Sequence, residues 1–360
     1  MRLVFVYVRH SRASHFATIF PAEGYYWLLK RMVDTNIVDE VLVVIDGGRD
    51  QTFEYERGIS GVVIPQLAGL PELLRADDVI WVRGGYKPWH NVLKPLAEQG
   101  YWLLNYPAGT GRERWLFWHV VFDDLRIADM SQVHIDRRDR FWFPFLKPTR
   151  PDVHFPKKVE RVYDVCIGAS HVYDKKCQWK MVKAAIEYKK LFKVNLKCIL
   201  PGAHRHGTHS DFIMTDIAQN SLDINVCGMV PRDEVCNVLN QSKLFVHLGG
   251  NGQNDRGPLE AMACGTPVMI ETPHRHAPFI SANLDVNFVI KYGDDMEFLA
   301  RQIHDILPTL TEEKREVVHR YHEAQSGVDG VILPRMKRLF SVFRRSPRAD
   351  MDALREEYKL

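Results

Sequence analysis

Glu260 stands in "GQNDRGPLEAMACGTPVMIETP", residues 252–273, where a glycine-rich polar loop runs through Gly257-Pro258 into a short apolar segment that stops at Gly265. A carboxylate at a helix start is favourable beside the positive end of the helix dipole, so a solvated or capping glutamate is one reading. The residues around it point to another. Pro258 suits the first position of a helix, where a missing N–H costs nothing. Gly249, Gly250, Gly252 and Gly257 let backbone approach a ligand closely, and the free N–H groups of the loop and helix start can face a diphosphate. Asn254, Asp255 and Arg256 add polar and charged groups next to them. A second basic cluster, Lys175-Lys176 in "GASHVYDKKCQWK", offers ammonium groups suited to a diphosphate that gains charge as a bond to it breaks. Histidines gather in "HRHGTH" (His204, His206, His209) and "HRH" (His274, His276), and an HxH pair on a strand suits zinc.

These residues fall at the ends of elements with a regular order. "RLVFVYV" reads as a buried parallel strand, followed by a helix through "FPAEGYYWLLKRMVD" and strands at "DEVLVVIDGG", "GVVIP" and "ADDVIWVRGG". A helix at "WHNVLKPLAEQG" and a strand at "YWLLNYPAG" complete the first series. After "KPTRPDVHFPKK", a proline-rich linker at residues 147–158, a second series alternates strands and helices from "YDVCIGAS" to "DMEFLARQIHDIL". Alternation of this kind predicts a doubly wound α/β sheet in each half, with ligands at the carboxyl ends of the strands. The chain is expected to form domains at 1–150 and 151–310, with helices at 311–360 crossing back to the first. Candidate loops in the first half are residues 9–12, 83–90 and 105–114.

The totals agree with a two-domain soluble protein: 360 residues, 46% hydrophobic, 26% charged, formal net charge +3. That balance permits an anionic ligand, a lipid surface or nucleic acid and demands none. The six cysteines show no CxxC pair and no zinc spacing, which fits reduced thiols in a cytosolic protein. No signal peptide and no membrane-length apolar run stands out, so a cytoplasmic location is expected, with peripheral contact at the inner membrane left open.

The second half resembles the retaining nucleotide-sugar glycosyltransferases of the GT-B fold, specifically family 4. The resemblance rests on "RPDVHFP", "YDVCIGAS", "INVCGMVPRDEVCNVLNQSKLFVHLG" and "GPLEAMACGTPVMIE", four segments in order across residues 148–310. It implies two Rossmann-like domains facing across a cleft. It implies a hexosyltransferase that takes its sugar from a nucleoside diphosphate, UDP above all, with retention of anomeric configuration. The donor is then a co-substrate; no cofactor and no metal is expected. Glu260 accepts hydrogen bonds from the donor ribose in this resemblance. Gly257, Pro258, Leu259, Asn254, Gly252, Gly168, Ser170, Lys176, Val230 and His274 line the donor, with Arg275 and His276 beside the last of them.

Three departures separate the chain from the family pattern. A second glutamate, eight positions before Glu260, is replaced by Gly252, leaving Asp255 as the nearest carboxylate. The arginine of the phosphate clamp is missing; Ser170 or His171 stands there, with Lys175 or Lys176 as the lysine and Arg256 as a substitute guanidinium. The histidine expected near the transferred sugar in the first half is replaced by Asn105-Tyr106, with His90 and His10 on neighbouring loops as alternatives. Such losses also fit a non-catalytic relative that binds a nucleotide sugar or a partner protein.

The acceptor is open between a glycan, a lipid-linked glycan and a modified DNA base. "RRDRFWFPFLKPTR" interleaves arginines with aromatics, as a surface for stacked bases does. "RMKRLFSVFRR" is a basic amphipathic stretch of the kind that lies on membranes.

Overall fold

Along the first strand, Leu3, Phe5 and Tyr7 join one hydrophobic cluster while Val4 and Val6 join another, so the strand is buried on both faces and needs no polar alternation. The computed structural model describes residues 1–9, 13–107, 115–123, 133–135, 139–168, 177–202, 209–248, 256–271, 288–290 and 295–359. The chain divides into two units, Met1–Pro148 with Gln325–Leu360, and Thr149–Ala324.

In the first unit the strands are β1 (Arg2–Arg9), β2 (Glu40–Asp46), β3 (Gln51–Glu56), β4 (Ile59–Ile64), β5 (Val79–Arg83), β6 (Trp102–Tyr106), β7 (Val120–Asp123), β8 (His134–Ile135) and β9 (Phe141–Pro144). They form one sheet in the order β3-β4-β2-β1-β5-β6-β7-β9-β8. Only the edge pairs β3–β4 and β8–β9 are antiparallel. Sequence periodicity predicts none of β3, β7, β8 and β9. The "FWFP" of β9 is a buried inner strand, and Phe141, Trp142, Phe143 and Phe145 are all core residues. Arg140 is buried too, with its guanidinium over the Trp142 ring and Nη1 donating to the Trp115 carbonyl. Arg140, Phe141, Trp142, Phe143 and Phe145 of the aromatic–basic stretch that suggested stacked bases are therefore spent on the core of this unit.

The helix Leu333–Arg345 has the same fate. Leu333, Met336, Leu339, Phe340, Val342 and Phe343 lie buried in the core of the first unit. Arg344 pairs with Asp39, and Arg338 and Arg345 both pair with Glu357. The apolar face that a membrane would need is already covered. Among the described residues no helix is long and apolar enough to cross a membrane.

The second unit carries β10 (Tyr163–Ile167), β11 (Cys198–Pro201), β12 (Ile224–Gly228), β13 (Ser242–His247), β14 (Val268–Glu271) and β15 (Phe288–Ile290) in one parallel sheet, ordered β12-β11-β10-β13-β14-β15. The chain steps outward from β10 through β11 to β12, then returns to the other side of β10 as β13. That reversal makes the carboxyl ends of β10 and β13 the topological switch point, where open α/β sheets bind ligands. In the first unit the corresponding reversal falls between β1 and β5.

Candidate functional site

Glu260 lies on the helix Gly257–Ala263, which follows β13 and precedes β14. Pro258 takes the second position of this helix, still within the first turn where no N–H partner is lost. The far end closes by a Schellman motif. Gly265 adopts φ +72°, its N–H donates to the Met262 carbonyl at 2.9 Å, and the Thr266 N–H donates to Ala261 at 2.8 Å. A left-handed residue is required there, and a Cβ on Gly265 would meet the Arg315 carbonyl oxygen at 3.0 Å. Arg315 is buried and donates to the carbonyls of Cys264 and Gly265 and to Asn240 Oδ1, so the end of the helix is held from outside as well. Cramped small residues thus serve to fix a short helix rigidly at the edge of the sheet.

At the other end of that helix, Arg256 and Glu260 face each other one turn apart, Nε to Oε1 4.0 Å, both partly open to solvent. The helix start is seated on Phe245 of β13: a Cβ on Gly257 would stand 2.9 Å from its ring, and one on Gly168, just after β10, only 2.2 Å. Gly168 donates its N–H to the Val246 carbonyl at 2.9 Å, and its own carbonyl lies 3.3 Å from His247 Nδ1. Gly168, His247 and the Glu260 helix therefore gather at the switch point. Leu259 is wholly buried. Val230 is half-buried in the loop after β12.

Sequence reasoning missed three residues of this edge. His247 ends an apolar strand just before two glycines, a polar interruption that could have flagged it. Lys180 and Glu271 form a buried ion pair, Nζ 2.7 and 3.0 Å from the two carboxylate oxygens. Nothing local in the sequence joins residue 180 to residue 271.

In the first unit, Asn105 ends inside the protein. It is fully buried at the end of β6, and its amide donates to the carbonyls of Val82 at 3.4 Å and Gly84 at 2.7 Å. The geometry gives it the task of holding the turn after β5 rather than of touching a substrate. His90 is more accessible. It opens the helix His90–Glu98 and packs edge-on against Trp115 and Phe117. A pocket of about 550 Å³ is lined by Lys87, Pro88, His90, Asn91 and Trp115.

Lys175, Lys176, Ser170, Gly252, Asn254, Asp255 and His274 lie outside the described residues, as do His10, His171, His204, His206, Arg275 and His276. Among the described residues no group of three or more His, Cys, Asp or Glu side chains is placed to hold a metal ion. All six cysteines are free thiols.

No protein-family model matches the chain, and no curated protein matches it. Solved structures do. A sucrose-phosphate synthase from Thermosynechococcus elongatus superposes with a TM-score of 0.63 at 12% identity, over 96% of this chain and 100% of that one. An α,α-trehalose 6-phosphate synthase from Burkholderia multivorans gives 0.64 at 11% identity, over 96% and 98%. The fold is GT-B. An E. coli trehalose-6-phosphate structure bound with UDP-2-fluoro glucose gives 0.59 at 11%, over 96% and 99%. These likenesses correct the assignment to family 4. The first two structures are of sucrose-phosphate synthase and trehalose-6-phosphate synthase type, and at 12% and 11% identity they show the fold alone, with nothing that singles out family 4.

Proposed function

We propose that the chain is a retaining glycosyltransferase that moves a hexosyl group from a nucleoside diphosphate, UDP in the first instance, to an acceptor hydroxyl. The observation that carries this reading is the placement of Glu260. It sits on a short, doubly anchored helix beside the switch point of the second sheet, in a fold shared over 96% of the chain with a structure bound with UDP-2-fluoro glucose.

In this reading Glu260 accepts hydrogen bonds from the two ribose hydroxyls, with the start of its helix, seated on Phe245, beside the nucleotide. The transition state resembles an oxocarbenium ion, and the departing diphosphate gains negative charge. Arg256 and the Lys175-Lys176 pair stabilise that charge. The same phosphate then takes the proton of the attacking hydroxyl on the face it leaves, so no paired acids of glycosidase type are needed. The acceptor belongs to the first unit, where the pocket lined by Lys87, Pro88, His90, Asn91 and Trp115 offers aromatic and polar side chains together.

Ligand-induced stabilisation tests the reading. UDP or a UDP-sugar should raise the melting temperature of the wild type at concentrations well above Kd. Glu260→Ala should abolish the rise. An equal rise in the mutant would place the nucleotide elsewhere.

A further inference from the structure

The Lys180–Glu271 pair is unusual for where it lies. Lys180 is the third residue of the helix Gln178–Phe192, so a cation stands at the positive end of a helix dipole, and both partners are only 7% exposed. Taking two charges out of water is repaid only by good geometry, and an apolar pair of similar volume usually serves stability as well or better. The geometry is good: the ammonium reaches both carboxylate oxygens, at 2.7 and 3.0 Å. Stability alone therefore gives no reason for charges at these positions.

Their place in the fold gives one. Glu271 is the last residue of β14, one past Ile270, whose partner in β13 is His247. Lys180 stands on the helix that comes after β10, just past Cys177, which turns the chain through a left-handed φ of 52°. Since β13 lies between β10 and β14 in the sheet, the pair joins the helix after β10 to the end of β14 across the strand that ends in His247. The segments that enter and leave the pair carry the residues assigned to the donor: Lys175 and Lys176 come shortly before Lys180, and His274 shortly after Glu271.

We infer that Lys180 and Glu271 are positioning residues of the donor site, a buried clamp that fixes the start of the helix Gln178–Phe192 and the end of β14 at a set spacing around the end of β13, where Gly168, His247 and the Glu260 helix gather. The inference rests on the donor reading above.

The test measures donor affinity and donor hydrolysis in the wild type, Lys180→Arg, Glu271→Asp and the double variant Lys180→Met/Glu271→Met, with UDP-sugar as the probe. The double variant removes both charges of the pair. It should melt close to the wild type yet bind donor at least about tenfold more weakly, about 1.4 kcal/mol. Glu271→Asp keeps both charges and shortens one arm, so its donor KM should rise with kcat changed much less. Lys180→Arg, which retains a partner for Glu271, should stay within about threefold of the wild type on the same scale. A stable double variant with wild-type donor affinity would overturn the inference and leave the donor reading standing. If the double variant does not fold, an unchanged donor KM in Glu271→Asp overturns it instead. A wild type that binds no donor would remove the donor reading and the inference together.

Discussion

The Phe245 ring lies against Gly168 so closely that a Cβ there would stand 2.2 Å from Cζ, and the same carbon atom is 2.9 Å from a Cβ placed on Gly257. One buried ring thus separates the strand end from the start of the Glu260 helix, and both glycines are required by contact rather than by turn geometry. Gly168→Ala should push the ring toward Gly257 and destabilise the chain by about 1–3 kcal/mol, the usual cost of overpacking. Adding Phe245→Leu should recover part of that loss, so the two changes are non-additive. Urea denaturation of the four proteins in the cycle measures this directly.

Arg315 makes a second prediction. Burial, with Arg161 nearby, lowers it to about 10, which still leaves it charged at neutral pH. Arg315→Met strips the donors from the carbonyls of Cys264 and Gly265, at the closed end of the Glu260 helix. A loss of about 2–4 kcal/mol is expected in thermal or chemical denaturation, because buried acceptors are left without a partner. A loss below about 0.5 kcal/mol, the range of ordinary surface changes, would show that the helix end holds without it.

His119 gives a pH dependence. Burial pushes it down to about 4, and its Nδ1 accepts the Leu103 N–H at 3.0 Å, so a proton on that nitrogen would set two donors against each other. In the unfolded chain it titrates near its ordinary 6.5. Between those values the unfolded state binds more protons, so this contribution is complete above about pH 6.5, falls as the pH drops toward 4, and is exhausted below that. Its size is at most roughly 3 kcal/mol, and less where the partly open ring is screened by solvent. His119→Gln should flatten the fall in urea midpoint between pH 7 and pH 4.5. An unchanged slope would assign the acid sensitivity to other groups.

The second half was legible because its signals are local. Pro258 and Gly265 bracket a helix too short for periodicity to find, and apolar runs mark β10 to β14, although the helix His209–Gln219 between β11 and β12 was not legible in them. The first half hid more. β9 carries an arginine before it and a proline at its end, and it is buried on both faces, Phe141 and Phe143 in one cluster and Trp142 in the other. "RMKRLFSVFRR" shows a correct amphipathic face, but sequence alone does not say whether protein or lipid covers it. Asn105 reads as a strand-end polar group open to ligand, and only packing reveals that it faces the turn at Gly84. The family assignment overreached for a related reason: the motifs that carry it lie on elements of a fold that chains sharing about a tenth of their residues also adopt.

Slow donor hydrolysis tests the central claim most directly. Nucleotide release is followed from a panel of UDP-, GDP- and ADP-sugars with the wild type and Glu260→Ala. Release from one donor, expected to be a UDP-sugar, and its loss in the variant would establish a transferase and name its nucleotide. A folded wild type that neither binds nor cleaves any donor on the panel would contradict the transferase reading and leave a GT-B relative that binds a partner.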